Sequence, residues 1–308
     1  MKIIFLGTSG SMPTQSRSSS AFAIRRKGEL MLFDCGEGTQ RRMVEARLGF
    51  RRPTRIFISH LHGDHILGLP GLLQTMTLLG RERKLDIYGP IGLISFVEAF
   101  NSVLGGPHFP VSIYEISLEG IILTGPEYKV TAVRADHEGH SWSYVFEEHP
   151  QPGKFHPDRA IALSVPEGPL WRRLQHGEDV KLNNGRLVKS REVVDASRRG
   201  LKIAYSGDTR PNKAFIEAAK GTDVLIHEAT FDDSLADKAE ENGHSTATQA
   251  AEVAKAAGAG MLILTHISSR YPDTSVLIEQ AKNVFPRTMV AEDLMEIELP
   301  KEGFTSVA

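Results

Sequence analysis

The hydrophobic pattern falls into short apolar runs closed by Gly, Pro or polar residues, alternating with stretches of helical period. "KIIFLG" (2–7), "AFAIRR" (21–26), "LMLFDCG" (30–36), "TRIFISH" (54–60) and "LDIYGP" (85–90) have the length and boundaries of strands. Between them, "EGTQRRMVEARLG" (37–49), "GLPGLLQTMTLLG" (68–80) and "GLISFVEAFNSVLG" (92–105) space their apolar residues as helices do, with Pro70 tolerated only near a helix start. Two more strand-like runs follow at 128–137 and 141–148. From there to about residue 195 the pattern lapses into Pro, Gly and charge without sustained period, the mark of a functional loop or a linker. The alternation then resumes, with strands expected at 201–209, 222–230, 260–268 and 287–299 and helices at 211–221, 246–260 and 273–285. Two α/β portions flanking one insertion predict a layered sandwich, sheets in the middle and helices outside.

Composition narrows the chemistry. The chain has 308 residues, 41% hydrophobic and 24% charged, as in an ordinary globular enzyme. A net charge of −2 lacks the global basic field that often marks nucleic-acid binders, so any such role rests on local features. The single cysteine, Cys35, excludes an internal disulfide and thiolate-rich metal ligation, leaving His and carboxylate as ligands. The N-terminal apolar run is too short for a signal peptide and no stretch approaches a membrane span, so a soluble, cytoplasmic protein with no membrane partner is expected.

His60, His137, Asp208, His227 and His266 each fall at the end of an apolar run, and α/β proteins build sites at the carboxyl ends of strands. In "SHLHGDH" (59–65), an extended exit from the strand sends His60 and His62 to one side, and the turn into the next helix brings Asp64 and His65 to another. Ligands split two and two serve two metal ions better than one. His137 and His266 as imidazoles and Asp208 as a bridging carboxylate complete a set suited to zinc first, then manganese or iron. His108, His140, His149, His156 and His176 stand alone and read as surface or packing residues. "FDCGEGTQRR" reads as structural, with Gly36 and Gly38 turning the chain into a helix and Cys35 buried.

HxHxDH followed by single His, Asp and His positions after later strands resembles the metallo-β-lactamase superfamily, which implies an αββα sandwich forming one domain over 1–308. Within that superfamily, "FLGTSG" (5–10), "FDCGEGTQ" (33–40), "SHLHGDH" (59–65), "YSGDT" (205–209), "HEATF" (227–231), "GHSTA" (243–247) and "THISSRY" (265–271) together resemble the ribonuclease Z family of tRNA 3′-processing endonucleases. The insertion, 150–195, resembles that family's flexible tRNA-binding arm, with Gly168 and Pro169 in "PEGPLWRRLQHGE" (166–178) as its Gly-Pro element.

The resemblance implies two Zn2+ per subunit, with Mn2+ as a substitute. It assigns His60, His62 and His137 to one ion, Asp64, His65 and His266 to the other, and Asp208 to both. A hydroxide between the ions would attack the scissile phosphodiester, leaving a tRNA 3′-hydroxyl and a trailer 5′-phosphate. His244, paired with Glu228, would protonate the leaving oxygen, and Asp64 would accept a proton from the attacking water. His227 is read as structural. Arg270 would contact a phosphate near the acceptor end, as would Arg17, in a loop where the family's Pro-x-Lys-x-Arg appears with Gln15 in place of the lysine. Precursor tRNA as substrate and a homodimer complete the expectation. A thioester or lactam hydrolase would use the same metal-activated water but would need neither the arm nor the HEAT and HST pair.

Overall fold

Among the described residues the apolar runs become two seven-stranded sheets. The first runs in the order Glu296–Glu298, Lys2–Gly7, Ala21–Arg26, Glu29–Phe33, Thr54–Phe57, Leu85–Pro90, Val111–Ile116. The second runs Thr288–Val290, Leu262–Thr265, Val224–Glu228, Lys202–Tyr205, Trp142–Glu148, Tyr128–Arg134, Gly120–Thr124. The computed structural model describes residues 1–150 and 152–299; Gln151, inside the arm expected at 150–195, and residues 300–308 of the expected single domain lie outside the described residues. The chain divides into two units, one made of Met1–Glu147 and the chain from Lys202 onward, the other of Glu148–Leu201.

In the larger unit, alternation along each strand makes three apolar layers. Ala23, Leu32, Ile56 and Ile58 pack with Leu69, Leu72 and Met76 of the Gly68–Leu78 helix on the outer face of the first sheet. Phe22, Phe33 and Phe57 point the other way and meet Tyr144 and Tyr205 of the second sheet, with the Phe22 and Tyr205 ring centroids 4.9 Å apart. Ala204, Leu225 and Leu264 pack beneath Ala250 and Ala254 of the Ala247–Ala257 helix and Leu277 of Ser275–Val284. Each fully buried Leu, Ile or Phe contributes about 1.5–3 kcal/mol, which is what holds helix, sheet, sheet and helix together as the expected αββα sandwich.

Three expectations change. The run 287–299 is two strands in different sheets: Leu294 takes φ 66°, and the chain crosses from the second sheet to the edge of the first. Val111–Ile116 and Gly120–Thr124 went unread because they are edge strands whose side chains are mostly half-exposed, leaving little apolar contrast. The insertion is not without regular elements. It holds helices Pro157–Ala162, Pro169–Gln175 and Ser190–Val193, a pairing of Val180–Lys181 with Leu187–Val188, and its own core of Ala160, Val165, Leu174, Val188 and Val193. Elements this short escape a periodicity test.

Candidate metal centre

Strand ends of both sheets deliver the candidate side chains to one place. After Phe57 the chain stays extended to His62 (φ −65°, ψ 145°), which caps the one-turn helix Gly63–Ile66 carrying Asp64 and His65. Past Tyr205 the chain turns at Gly207 (φ 59°), where a Cβ would meet the Trp142 carbonyl oxygen at 3.0 Å, and this turn presents Asp208. His266 follows Leu262–Thr265 with φ 56°, a left-handed conformation that costs a non-glycine residue energy and breaks the strand. His244 lies just before Thr246, whose hydroxyl and the Gln249 side chain form a reciprocal cap on the Ala247–Ala257 helix, fixing the HST turn. His227 and Glu228 lie inside the Val224–Glu228 strand rather than past its end.

The ligating atoms of His60, His62, His137 and Asp208 lie within 4.8 Å of one another, as do those of Asp64, His65 and His266. Asp208 Oδ2 joins the groups, 3.6 Å from His60 Nε2 and 3.3 Å from both His65 Nε2 and His266 Nε2. Each buried ring is held from behind. His65 Nδ1 is 2.8 Å from Asp34 Oδ2, His137 Nδ1 is 2.8 Å from the Gly243 carbonyl, and His266 Nδ1 is 2.8 Å from Thr230 Oγ1. Ser59 Oγ donates to Asp34, so it accepts from His60 Nδ1–H at 2.9 Å. Anchoring Nδ1–H leaves the Nε2 lone pair facing inward, the arrangement of a metal-ligating imidazole.

The residues fit a divalent metal. His60 Nε2, His65 Nε2 and Asp208 Oδ1 are buried without a hydrogen-bond partner, and both imidazole nitrogens face the Asp208 carboxylate. Orphaned buried lone pairs are costly, and a cation satisfies them together. Burial alone would raise Asp208, yet His266, His65 and His60 hold its carboxyl well below the usual range. Burial opposes charge on His65, but Asp208 and Asp34 outweigh it and lift the ring well above its ordinary value. His60 and His137 are pushed down by burial.

Beside the ligands, His244 Nδ1 stands 2.9 Å from Glu228 Oε1. Burial would lower His244, but Glu228 overcomes it and raises the ring to about 9, while His244 in turn holds the buried Glu228 carboxyl low. The other Glu228 oxygen accepts from Thr230 N and Thr230 Oγ1. A cleft of about 450 Å³ opens over this corner, lined among others by His62, His137, His244, Lys238 and Arg270. The Arg270 guanidinium lies 4.9 Å from the centre of the Phe231 ring.

Not every expected residue gathers here. Arg17 is tied inward through one nitrogen, donating to Thr8 Oγ1 at 2.7 Å and the Ala291 carbonyl at 2.6 Å. Gly168 and Pro169 belong to the Glu148–Leu201 unit, where Gly168 (φ 129°, ψ −138°) precedes the Pro169–Gln175 helix in a conformation open essentially to glycine alone. Asp34, read as part of a structural turn, is the anchor of two ligands; its signal was the one that exposed Asp208, a carboxylate just past a strand. Thr230 was hidden inside HEATF, and Lys238 carries no sequence signal at all.

Residues 1–97 match the family model described as Anti-Pycsar protein Apyc1, and residues 172–267 match the beta-lactamase superfamily domain. Ribonuclease Z of Methanosarcina mazei is 48% identical over 302 residues, 97% of this chain and 98% of that protein. Ribonuclease Z of Methanothermobacter thermautotrophicus is 45% identical, covering 97% of each. Among solved structures, the short form of human tRNase Z superposes with a TM-score of 0.71 at 30% identity, covering 97% of this chain and 100% of that one. With relatives this similar along almost its whole length, the chain belongs to the ribonuclease Z family, endoribonucleases built on the metallo-β-lactamase fold.

Proposed function

We propose that the chain removes 3′ trailers from precursor tRNA, leaving a 3′-hydroxyl on the tRNA and a 5′-phosphate on the trailer. His60, His62 and His137 would hold one divalent cation, Asp64, His65 and His266 a second, and Asp208 both; an all-imidazole and carboxylate set favours zinc, with manganese as a substitute. Two such cations supply a water acidic enough to attack at neutral pH and offset charge on the phosphoryl oxygens.

The chain's own residues handle position and protons. Asp64 Oδ2, fixed by the Ser11 N–H at 2.7 Å, is set to take a hydrogen bond from the attacking water. Without metal, burial would raise this carboxyl, but the neighbouring His266 and His65 rings hold it well below the usual range. As the bond from phosphorus to the 3′-oxygen breaks, protonated His244 gives that oxygen its proton, and Glu228 stabilises the charged ring beforehand. Arg270, exposed on the cleft with one face against Phe231, meets a flanking phosphate. The Glu148–Leu201 unit, with Gly168 and Pro169, is the tRNA-binding arm, and the working form is a cytoplasmic homodimer in which one subunit's arm serves the other's site. No helix among the described residues is long and apolar enough to cross a membrane.

The observation that carries this reading is the convergence of orphaned ligand atoms on His60, His65 and Asp208 beside the Glu228–His244 pair. Purified protein incubated with end-labelled precursor tRNA should release a 5′-phosphorylated trailer, and chelator should stop it. Absence of cleavage with ample zinc or manganese overturns the proposal. Light scattering tests the dimer.

A further inference from the structure

His227 is fully buried and takes no part in the chemistry above. Its place follows from how two neighbouring strands separate. Lys202–Tyr205 and Val224–Glu228 run parallel in register, the last pair being Tyr205 with Ile226, and the Ser206 N–H donates to the Ile226 carbonyl. Alternation turns the Glu228 peptide toward the same neighbour. That neighbour has by then left the sheet, because Gly207 (φ 59°) turns the chain to present Asp208. The Glu228 N–H and carbonyl therefore lose their ladder partners on the Lys202–Tyr205 side, at the residue whose carboxylate must stay aimed at His244.

Two side chains replace them. Ser206 Oγ accepts the Glu228 N–H at 3.0 Å. His227 Nδ1 lies 2.7 Å from the Glu228 carbonyl oxygen, and since a carbonyl only accepts, Nδ1 carries the hydrogen. The other nitrogen, Nε2, is buried with no partner, as suits the neutral tautomer whose Nε2 bears no hydrogen. A leucine or valine at 227 would fill the space but leave the buried Glu228 carbonyl unpaired, with that peptide held only on its far side by the Ala229 N–H on the Thr265 carbonyl at 2.9 Å.

We propose that His227 is a positioning residue: its Nδ1–H fixes the Glu228 peptide where the sheet ladder ends, and so fixes the Glu228–His244 pair. The inference rests on the reading of that pair as the proton donor to the leaving oxygen. His227→Leu removes the donor at similar volume, whereas His227→Asn places an amide nitrogen close to where Nδ1 stood.

The test measures kcat and KM on precursor tRNA for both variants, at saturating metal and with metal content assayed, beside His244→Ala. A proton donor is worth roughly 10²–10⁴ in rate. The Leu variant should lose about 10- to 100-fold in kcat with KM and metal content near wild type, and the Asn variant should recover to within about threefold. Full kcat in His227→Leu overturns the inference. So does equal impairment of Leu and Asn, or a joint loss of kcat, KM and metal, which is the signature of a merely structural residue. If the Leu variant does not fold, His227→Gln, whose amide sits one carbon too far, takes its place, with a kcat well below that of Asn expected and equality with it overturning the proposal. If His244→Ala is fully active, the proton-donor reading itself falls and this inference with it; if His244→Ala is impaired while His227→Leu is not, this inference alone falls.

Discussion

Asp34 Oδ2 lies 2.8 Å from His65 Nδ1, and the same carboxylate accepts from Ser59 N, Ser59 Oγ and Tyr205 Oη, all of it with no exposure to solvent. Through Ser59 it also reaches His60. One buried carboxylate thus orients a ligand in each metal group. Asp34→Asn puts an NH2 group against existing donors, so both rings lose their fixed tautomer. Metal affinity should fall about 10- to 100-fold, read by competition with a chromophoric chelator. A buried donor left unpaired should also cost about 1–3 kcal/mol in urea unfolding. Unchanged affinity would show that the rings are held by packing alone.

The Glu228–His244 pair makes stability depend on pH in the metal-free protein. His244 is raised from an ordinary 6.5 to about 9, so the charged ring favours the folded state. That stabilisation is fully present below about pH 6.5 and is lost as pH rises through about 9. It amounts to at most on the order of 3 kcal/mol. With chelator present, the melting temperature should fall between about pH 7 and 10, and Glu228→Gln should flatten the slope in that window. Cations added beside the ring push its pKa down, so metal loading should move the transition to lower pH. A slope untouched by Glu228→Gln would remove the pair as its source.

Arg17 and Arg270 should separate cleanly. Arg17 holds Thr8 to Ala291, next to Asp293, so Arg17→Ala should destabilise the fold by about 1–3 kcal/mol while leaving KM for precursor tRNA unchanged. Arg270 is exposed on the cleft, so Arg270→Ala should leave the melting temperature within a degree or so and raise KM about tenfold, as loss of the proposed charge-assisted contact to phosphate would. Thermal melts and steady-state kinetics on the two variants decide it; the reverse pattern would return Arg17 to the substrate.

Most of this site was legible because strand ends punctuate the sequence. His60, His137, Asp208 and His266 follow apolar runs that had to be strands, and one helix face cannot hold all four ligands of HxHxDH. What escaped was whatever depends on a neighbour far away in the chain. Asp34 sits just past a strand as Asp208 does, but that place does not name the His65 ring it holds, and nothing around Thr230 announces its contact with His266. Arg17, expected at a phosphate by resemblance alone, also meets the Ala291 carbonyl and Asp293, which the last crossing between sheets brings round. The insertion was misread for a different reason: a core of single turns and two-residue strands has no period to detect.

The sheet topology also says that the Glu148–Leu201 insertion can be cut out. Trp142–Glu148 and Lys202–Tyr205 are antiparallel neighbours, with Glu147 opposite Lys202 and the Glu148 N–H bonded to the Leu201 carbonyl at 2.9 Å. The two ends of the excursion are therefore adjacent across one ladder, and Asn-Gly in place of residues 149–200 would close them as a two-residue hairpin. The candidate metal ligands all lie in the other unit, so the shortened protein should still melt cooperatively, bind metal and hydrolyse a small phosphodiester such as bis(p-nitrophenyl) phosphate. Its affinity for precursor tRNA, read by filter binding, should fall by at least about tenfold, because the proposed arm contacts are gone. Retained tRNA affinity would locate recognition wholly in the sandwich, and loss of metal binding would mean that the insertion supports the centre itself.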